Sequence, residues 1–218
     1  EILDGPIVWS PGLAGAVVEI SPSTGALLRT VAPSITCASF VVTDPFTGDL
    51  FVNDSCAGGG SENGSVWRIA NPSNASPTVT VYSSSPGVNG GMSFGPGGTL
   101  YMLDYRDGGV ASITGTSSAS PGQLSVVPGI VNGDLGILAE GALTNGDART
   151  LTLAASPGAD GFPLGIRTFD VSETPATATS LEVENAYANV QILGPDQCMY
   201  ASMAVAVYRI TNADGTCP

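Results

Sequence analysis

The chain has 218 residues, with 29 Gly and 16 Pro but only 11% charged residues, and 19 Asp and Glu stand against six Arg, for a net charge of −13. It contains no His and no Lys, which excludes Ser-His-Asp and Cys-His catalysis, His-ligated metals, Schiff-base chemistry and the phosphate-loop lysine. The acidic field excludes nucleic acid as a partner, and no apolar run reaches the roughly 18 residues that a helical membrane span needs.

Taken in chain order, residues 1–36 offer three short strands, "PIVWS", "AVVEIS" and "ALLRTVA", separated by Gly and Pro turns. A longer unit follows, "SFVVTDPFTGDLFVND…GSVWRIANP…PTVTVY", from Ser39 to Tyr82. It recurs as "MSFGPGGTLYMLDY…GGVASITG…GQLSVVPG", Met92 to Gly129, and as "LGILAEGALTNGDARTLTLAAS…PLGIRTFDVS…TSLEVEN", Leu135 to Asn185. Residues 186–218 close with "NVQILGP", "CMYAS" and "AVYRIT". Each full unit holds four runs rich in Val, Ile, Thr, Phe and Tyr, which suit a pleated, half-buried surface. No segment sustains a helical period.

Four short strands at this spacing predict an all-β protein, a β-propeller of about five blades. The predicted blades are 1–36, 37–86, 87–130, 131–185 and 186–218, one domain over 1–218 with three-stranded terminal blades. A sandwich or solenoid is the alternative architecture. The innermost strand of a blade is short and apolar, a role suited to "SFVV", "MSFG", "LGIL" (135–138) and "VQIL". The terminal pieces either form two three-stranded blades or share hydrogen bonds across a ring closure. An incomplete ring leaves a strand edge open and predicts self-association through the terminal blades.

The cysteines fall at 37, 56, 198 and 217, and the matched spacing of 19 favours Cys37–Cys56 and Cys198–Cys217 over the other connectivities. Two disulfides point to an oxidising compartment, and a chain opening on Glu1 is expected of a secreted protein after removal of a signal peptide. Three sequons, at Asn53, Asn63 and Asn74, would be glycosylated in a eukaryotic secretory host.

Any catalysis must use carboxylates, Tyr, Arg, hydroxyls or a hard metal ion on oxygen ligands. Asn89-Gly90 and Asn132-Gly133 head two of the repeats. Asn-Gly is a strong turn signal, so these pairs either only turn the chain into an innermost strand or also present carbonyl oxygens at a common axis. Asp134 would add a charge there, and Asp104 ends a second strand in "YMLDY". Tyr101, Tyr105 and Tyr187 could floor a sugar site or, like Trp9 and Trp67, pack the blades together.

"DGPIVWSP" followed by "VVEISPSTGALLRTV" resembles the opening of the SMP-30/gluconolactonase-like group. "VNGGMSFGPGGTLYMLDY", Val88 to Tyr105, resembles that group's Asn-Gly blade. "GPDQCMYAS…VYRITNADG" is similar to NHL-type and streptogramin-lyase-like propellers. The first resemblance implies a six-bladed, calcium-dependent lactone hydrolase, with a Glu, two Asn and an Asp around an axial metal. It implies a Ca²⁺ ligand set in which Asp4 stands for the Glu, Asn89 for one Asn, and Asn132 or Asp134 for the Asp. The remaining Asn falls at Thr36 or Cys37 and has no counterpart. The same resemblance makes Asp104 and Asp134 the candidate catalytic carboxylates. The lyase likeness implies a His-dependent elimination, which a chain without His cannot perform. The expected function is a secreted propeller acting on a lactone, sugar or other small molecule. The alternative is a non-catalytic module for carbohydrate binding or extracellular assembly.

Overall fold

The computed structural model describes residues 8–11, 16–35, 37–54, 63–86, 88–95, 98–104, 109–131, 142–144, 150–155, 165–184, 190–193, 196, 198–203 and 206–217. Every regular element of any length among them is a β-strand. The first sheet comprises β1 (Val8–Pro11), β2 (Val17–Ile20) and β3 (Leu27–Ala32). The second comprises β4 (Ala38–Thr43), β5 (Leu50–Asp54), β6 (Asn63–Ala70) and β7 (Thr78–Pro86). The third is β8 (Val88–Phe94), β9 (Leu100–Asp104), β10 (Gly109–Ile113) and β11 (Leu124–Val131). The fourth is β12 (Ala142–Thr144), β13 (Thr150–Ala155), β14 (Gly165–Asp170) and β15 (Thr177–Glu184). The last is β16 (Val190–Leu193), β17 (Met199–Met203) and β18 (Ala206–Arg209). Strands follow each other in spatial as in chain order, the meander of a propeller blade, and the fold class is the predicted β-propeller, with three four-stranded blades between two three-stranded ones.

The hairpins follow from their turns. In "SPSTGA" and "DPFTGD" a six-residue loop is closed by main-chain bonds, Ser21 N–H to Ala26 O at 2.9 Å and Asp44 N–H to Asp49 O at 2.8 Å. Gly25 and Gly48 sit at φ +69° and +74°, backbone that an L side chain adopts only at a cost. Asp44, 2% exposed, locks its turn by accepting from Phe46 N–H at 2.9 Å and the Thr47 hydroxyl at 2.8 Å.

The chain divides into two compact units, 1–89 and 90–218, the division falling inside β8. In the first, β1 runs beside β4, and apolar faces of the first two sheets meet in a core of Val17, Val31, Ala32, Ile35, Leu50, Val52 and Ile69. All of β5 is buried, as a strand covered on both faces must be. In the second unit β12 runs beside β16, and Tyr101, Val110, Val127, Ile130 and Ala176 form a core shared by the third and fourth sheets.

The outer hairpins of two blades tie back to the preceding blade. Arg29 of β3 donates to Pro72 O and Asn74 O in the β6–β7 turn, both at 2.6 Å. Pro128 O of β11 accepts from Ala176 N–H at 2.7 Å in the β14–β15 turn. There Gly129 has φ +91°, and a Cβ on it would lie 2.3 Å from Ala176 O.

"LGIL" lies outside the described residues, and the strand that pairs with β13 is Ala142–Thr144.

Candidate functional site

In an antiparallel blade the start of the first strand and the end of the second lie at one end of the sheet. In the second blade that end holds Ala38 opposite Asp54; in the third, β8 begins at Val88 and β9 ends at Asp104, opposite Gly109. Asn89 and Gly90 are the second and third residues of β8; the Asn-Gly motif predicts a turn leading into the first strand of the sheet, and the pair instead lies within that strand. Asp104 closes β9. The two therefore share one end of the third blade by strand pairing alone. Asp4, Thr36, Asn132 and Asp134 lie outside the described residues.

Aligning the repeats brings out a carboxylate that the sequence reading passed over. "LFVND" and "LYMLD" are the second strands of successive blades, so Asp54 is the counterpart of Asp104. Asp54 is 3% exposed and accepts the Cys37 N–H at 3.2 Å, fastening the head of β4. The signal was available in the repeat itself, a buried acid at a matched register.

Cys37 is disulfide-bonded, so its sulfur serves no ligand. Its expected partner, Cys56, lies outside the described residues. Cys198 and Cys217 are joined to each other. Their sulfurs and the Asp196 carboxylate form the one cluster of His, Cys, Asp or Glu among the described residues whose donor atoms come within 4.8 Å of one another. It is spent on structure. The sulfurs are bonded together, and Asp196 accepts from Arg209 Nε at 2.8 Å and from the Tyr200 hydroxyl at 3.1 Å. Hydrogen bonding from Arg209 holds the Asp196 carboxyl below the usual carboxylate range.

For Tyr101 the packing alternative holds, and for Asn53 a predicted glycosylation site is corrected. Tyr101 packs in the core of the second unit at 8% exposure, and burial pushes its phenol up; it floors no sugar site. Asn53 lies within β5 at 0% exposure, which leaves no room for a glycan in the folded chain. Asn74 is exposed in the β6–β7 turn, Asn63 begins β6, and the Tyr105 and Tyr187 rings lie outside the described residues. Trp67 packs against the core of the first unit.

No protein-family model matches the chain, and no curated protein matches it by sequence. Its likeness is to solved structures. A luciferin-regenerating enzyme superposes with TM-score 0.67 at 14% identity, over 100% of this chain and 78% of that one. A calcium-binding protein, regucalcin from Agrobacterium tumefaciens, gives 0.64 at 15% identity over 94% of this chain and 66% of its own. A gluconolactonase from Xanthomonas campestris gives 0.64 at 12% identity over 94% and 67%. The chain thus spans about two thirds of the regucalcin and of the gluconolactonase, and at these identities the likeness is one of fold.

Proposed function

We propose that the chain is a hydrolase-like propeller with a Ca²⁺-type cation site at the heads of its first strands. The observation that carries this reading is Asn89-Gly90 at the head of β8, in a fold shared with a calcium-binding protein and a gluconolactonase. The donor set suits a hard dication. Asn89 and Asn132 offer amide carbonyls, Asp4 and Asp134 offer carboxylates, and two negative charges balance one Ca²⁺. Six to eight oxygens are needed; with no Asn at Thr36 or Cys37, water must complete the shell. When bound, such a cation polarises a lactone or sugar carbonyl. Asp104, at the same end of the third blade as Asn89, is the proposed general base, and Asp134 both a ligand and a second candidate catalytic carboxylate. The low charge and paired cysteines support the proposal of an extracellular setting.

Calorimetric titration of the chelator-treated chain with Ca²⁺ tests the site, together with thermal unfolding with and without chelator. One equivalent should bind, and saturation at ~100 times Kd should stabilise by about 2.7 kcal/mol. Asn89→Ala and Asp134→Asn should each weaken binding. Absence of binding would overturn the cation site and return the reading to a carbohydrate-binding or assembly module.

A further inference from the structure

The last blade ends on an edge unlike the others. Among the described residues no strand pairs with the outer side of β18, and all four of its residues are exposed, Val207 at 70% and Tyr208 at 49%. Outer strands usually carry devices that discourage pairing: bulges, prolines or charges. Here the outer strands β3, β7, β11 and β15 each pair with their neighbour through a register shift, and β7 and β11 also contain Pro86 and Pro128. By contrast β18 pairs with β17 in unbroken register, Tyr200 opposite Arg209 through Met203 opposite Ala206, and contains no proline.

Which backbone groups face outward follows from the ladder. Ile210 N–H donates to Met199 O at 2.8 Å, so residues 210, 208 and 206 face β17. By the alternation of an antiparallel pair, the N–H and C=O of Val207 and Arg209 face away from it. The strand is also held ready. Cys217, just beyond it, is bonded to Cys198, just before β17, and Asn212 N–H to Thr216 O at 2.8 Å closes the turn between. Little ordering entropy remains to be lost on pairing.

We infer that this edge is a homodimer interface, β18 pairing antiparallel with β18 of a second copy about a two-fold axis at Tyr208. Opposed residues must share an orientation, so Val207 and Arg209 can only meet each other or themselves. With the axis at Tyr208, Val207 lies opposite the partner subunit's Arg209 and the reverse. All four outward N–H and C=O pairs are used, and Tyr208 faces the partner's Tyr208 as an aromatic cross-strand pair. No like charges oppose each other, because each Arg209 meets a valine and keeps its bond to Asp196. This self-complementarity selects a second copy over an unrelated strand and makes an isologous interface. The net charge of −13 on each copy opposes association at long range, so the dimer strengthens with salt.

Sedimentation equilibrium on the whole chain tests this independently of any cation site. The mass should rise from 21.8 kDa toward twice that value with concentration, and more so at about 0.15 M than at about 0.01 M salt, where the Debye length is ~30 Å. Val207→Pro removes one outward N–H without touching the β17 ladder and should leave a monomer. The Val207→Glu and Val207→Lys variants keep the exposed backbone. Glu opposite Arg209 should tighten the dimer and Lys should loosen it, each by about five-fold given two such pairs per dimer. A wild-type chain that stays monomeric, or Glu and Lys variants that loosen the dimer equally, overturns the proposal.

Discussion

Replacing Arg29 by Ala should destabilise the first unit by about 3–4 kcal/mol. Arg29 Nε donates to Glu19, directly opposite it in the β2–β3 register, and its two terminal nitrogens donate to Asn74 O and Pro72 O. The Glu19 side chain is only 10% exposed, against 30% for Arg29. Truncation therefore strands a nearly buried carboxylate, at about 2–3 kcal/mol, at or just below the lower bound for breaking a fully buried pair because the arginine side meets water. Pro72 is buried and loses its charged donor, adding about 1 kcal/mol, whereas the exposed Asn74 carbonyl is rehydrated at little cost. Both tryptophans, Trp9 and Trp67, belong to the first unit, so tryptophan fluorescence in a urea titration reports on it alone. With an m-value of ~2 kcal/mol/M the midpoint should fall by about 1.5–2 M. Arg29→Lys, which keeps the charge but cannot fork to three acceptors, should lose about half as much. The pair Glu19→Leu with Arg29→Met should recover most of the loss, since no charge is left buried. An Arg29→Ala midpoint within about 0.3 M of wild type, or a double variant no better than the single, would refute the reasoning.

Gly129→Ala and Gly48→Ala separate steric from conformational cost. Gly48 has positive φ and open space, so its variant should lose about 1–2 kcal/mol, while Gly129 also has Ala176 O at 2.3 Å and Ala176 N at 2.8 Å and should lose over ~3 kcal/mol; equal melting temperatures in calorimetry would contradict this. The Asp196 carboxyl should titrate below the ordinary range by carbon-detected NMR and move back toward it in Arg209→Ala, because Arg209 is the largest cause of its shift. With the folded value depressed, its contribution to stability is fully present above the ordinary Asp value and is lost as pH falls through the folded one. An unmoved titration in the variant would remove Arg209 as the cause.

Much of the fold is legible along the chain because its information is local. Positive-φ glycines in "SPSTGA" and "DPFTGD" mark hairpins, and alternating β-branched residues mark strands that need one buried face. Three of the expected innermost strands lie where these signals put them, "SFVV" within β4, "MSF" within β8 and "VQIL" as β16, and the "VWS" of "PIVWS" lies in β1. The 135–138 assignment lies outside the described residues. Of the candidate site, the shared end of Asn89 and Asp104 follows from strand order alone. Asp54 is marked along the chain by its place in the repeat, while its burial opposite Ala38 comes only from the assembled sheet.

The amino-acid sequence by itself determines the strand meander, the absence of any imidazole or amine chemistry, and the reliance on oxygen donors, since composition and turn chemistry need no partner. Burial needs the assembled sheets. An Asn-x-Ser triplet at Asn53 and one at Asn74 read alike along the chain, yet β4 and β6 flank the first and leave it 0% exposed, while the second lies on an open turn. The same holds for charge and for edges. Whether Glu19 is solvated or must be answered by Arg29, and whether β18 keeps a free row of N–H and C=O groups, depends on which strand lies alongside. Hydrogen bonding and desolvation are decided by neighbours in space, and only the tertiary structure supplies them.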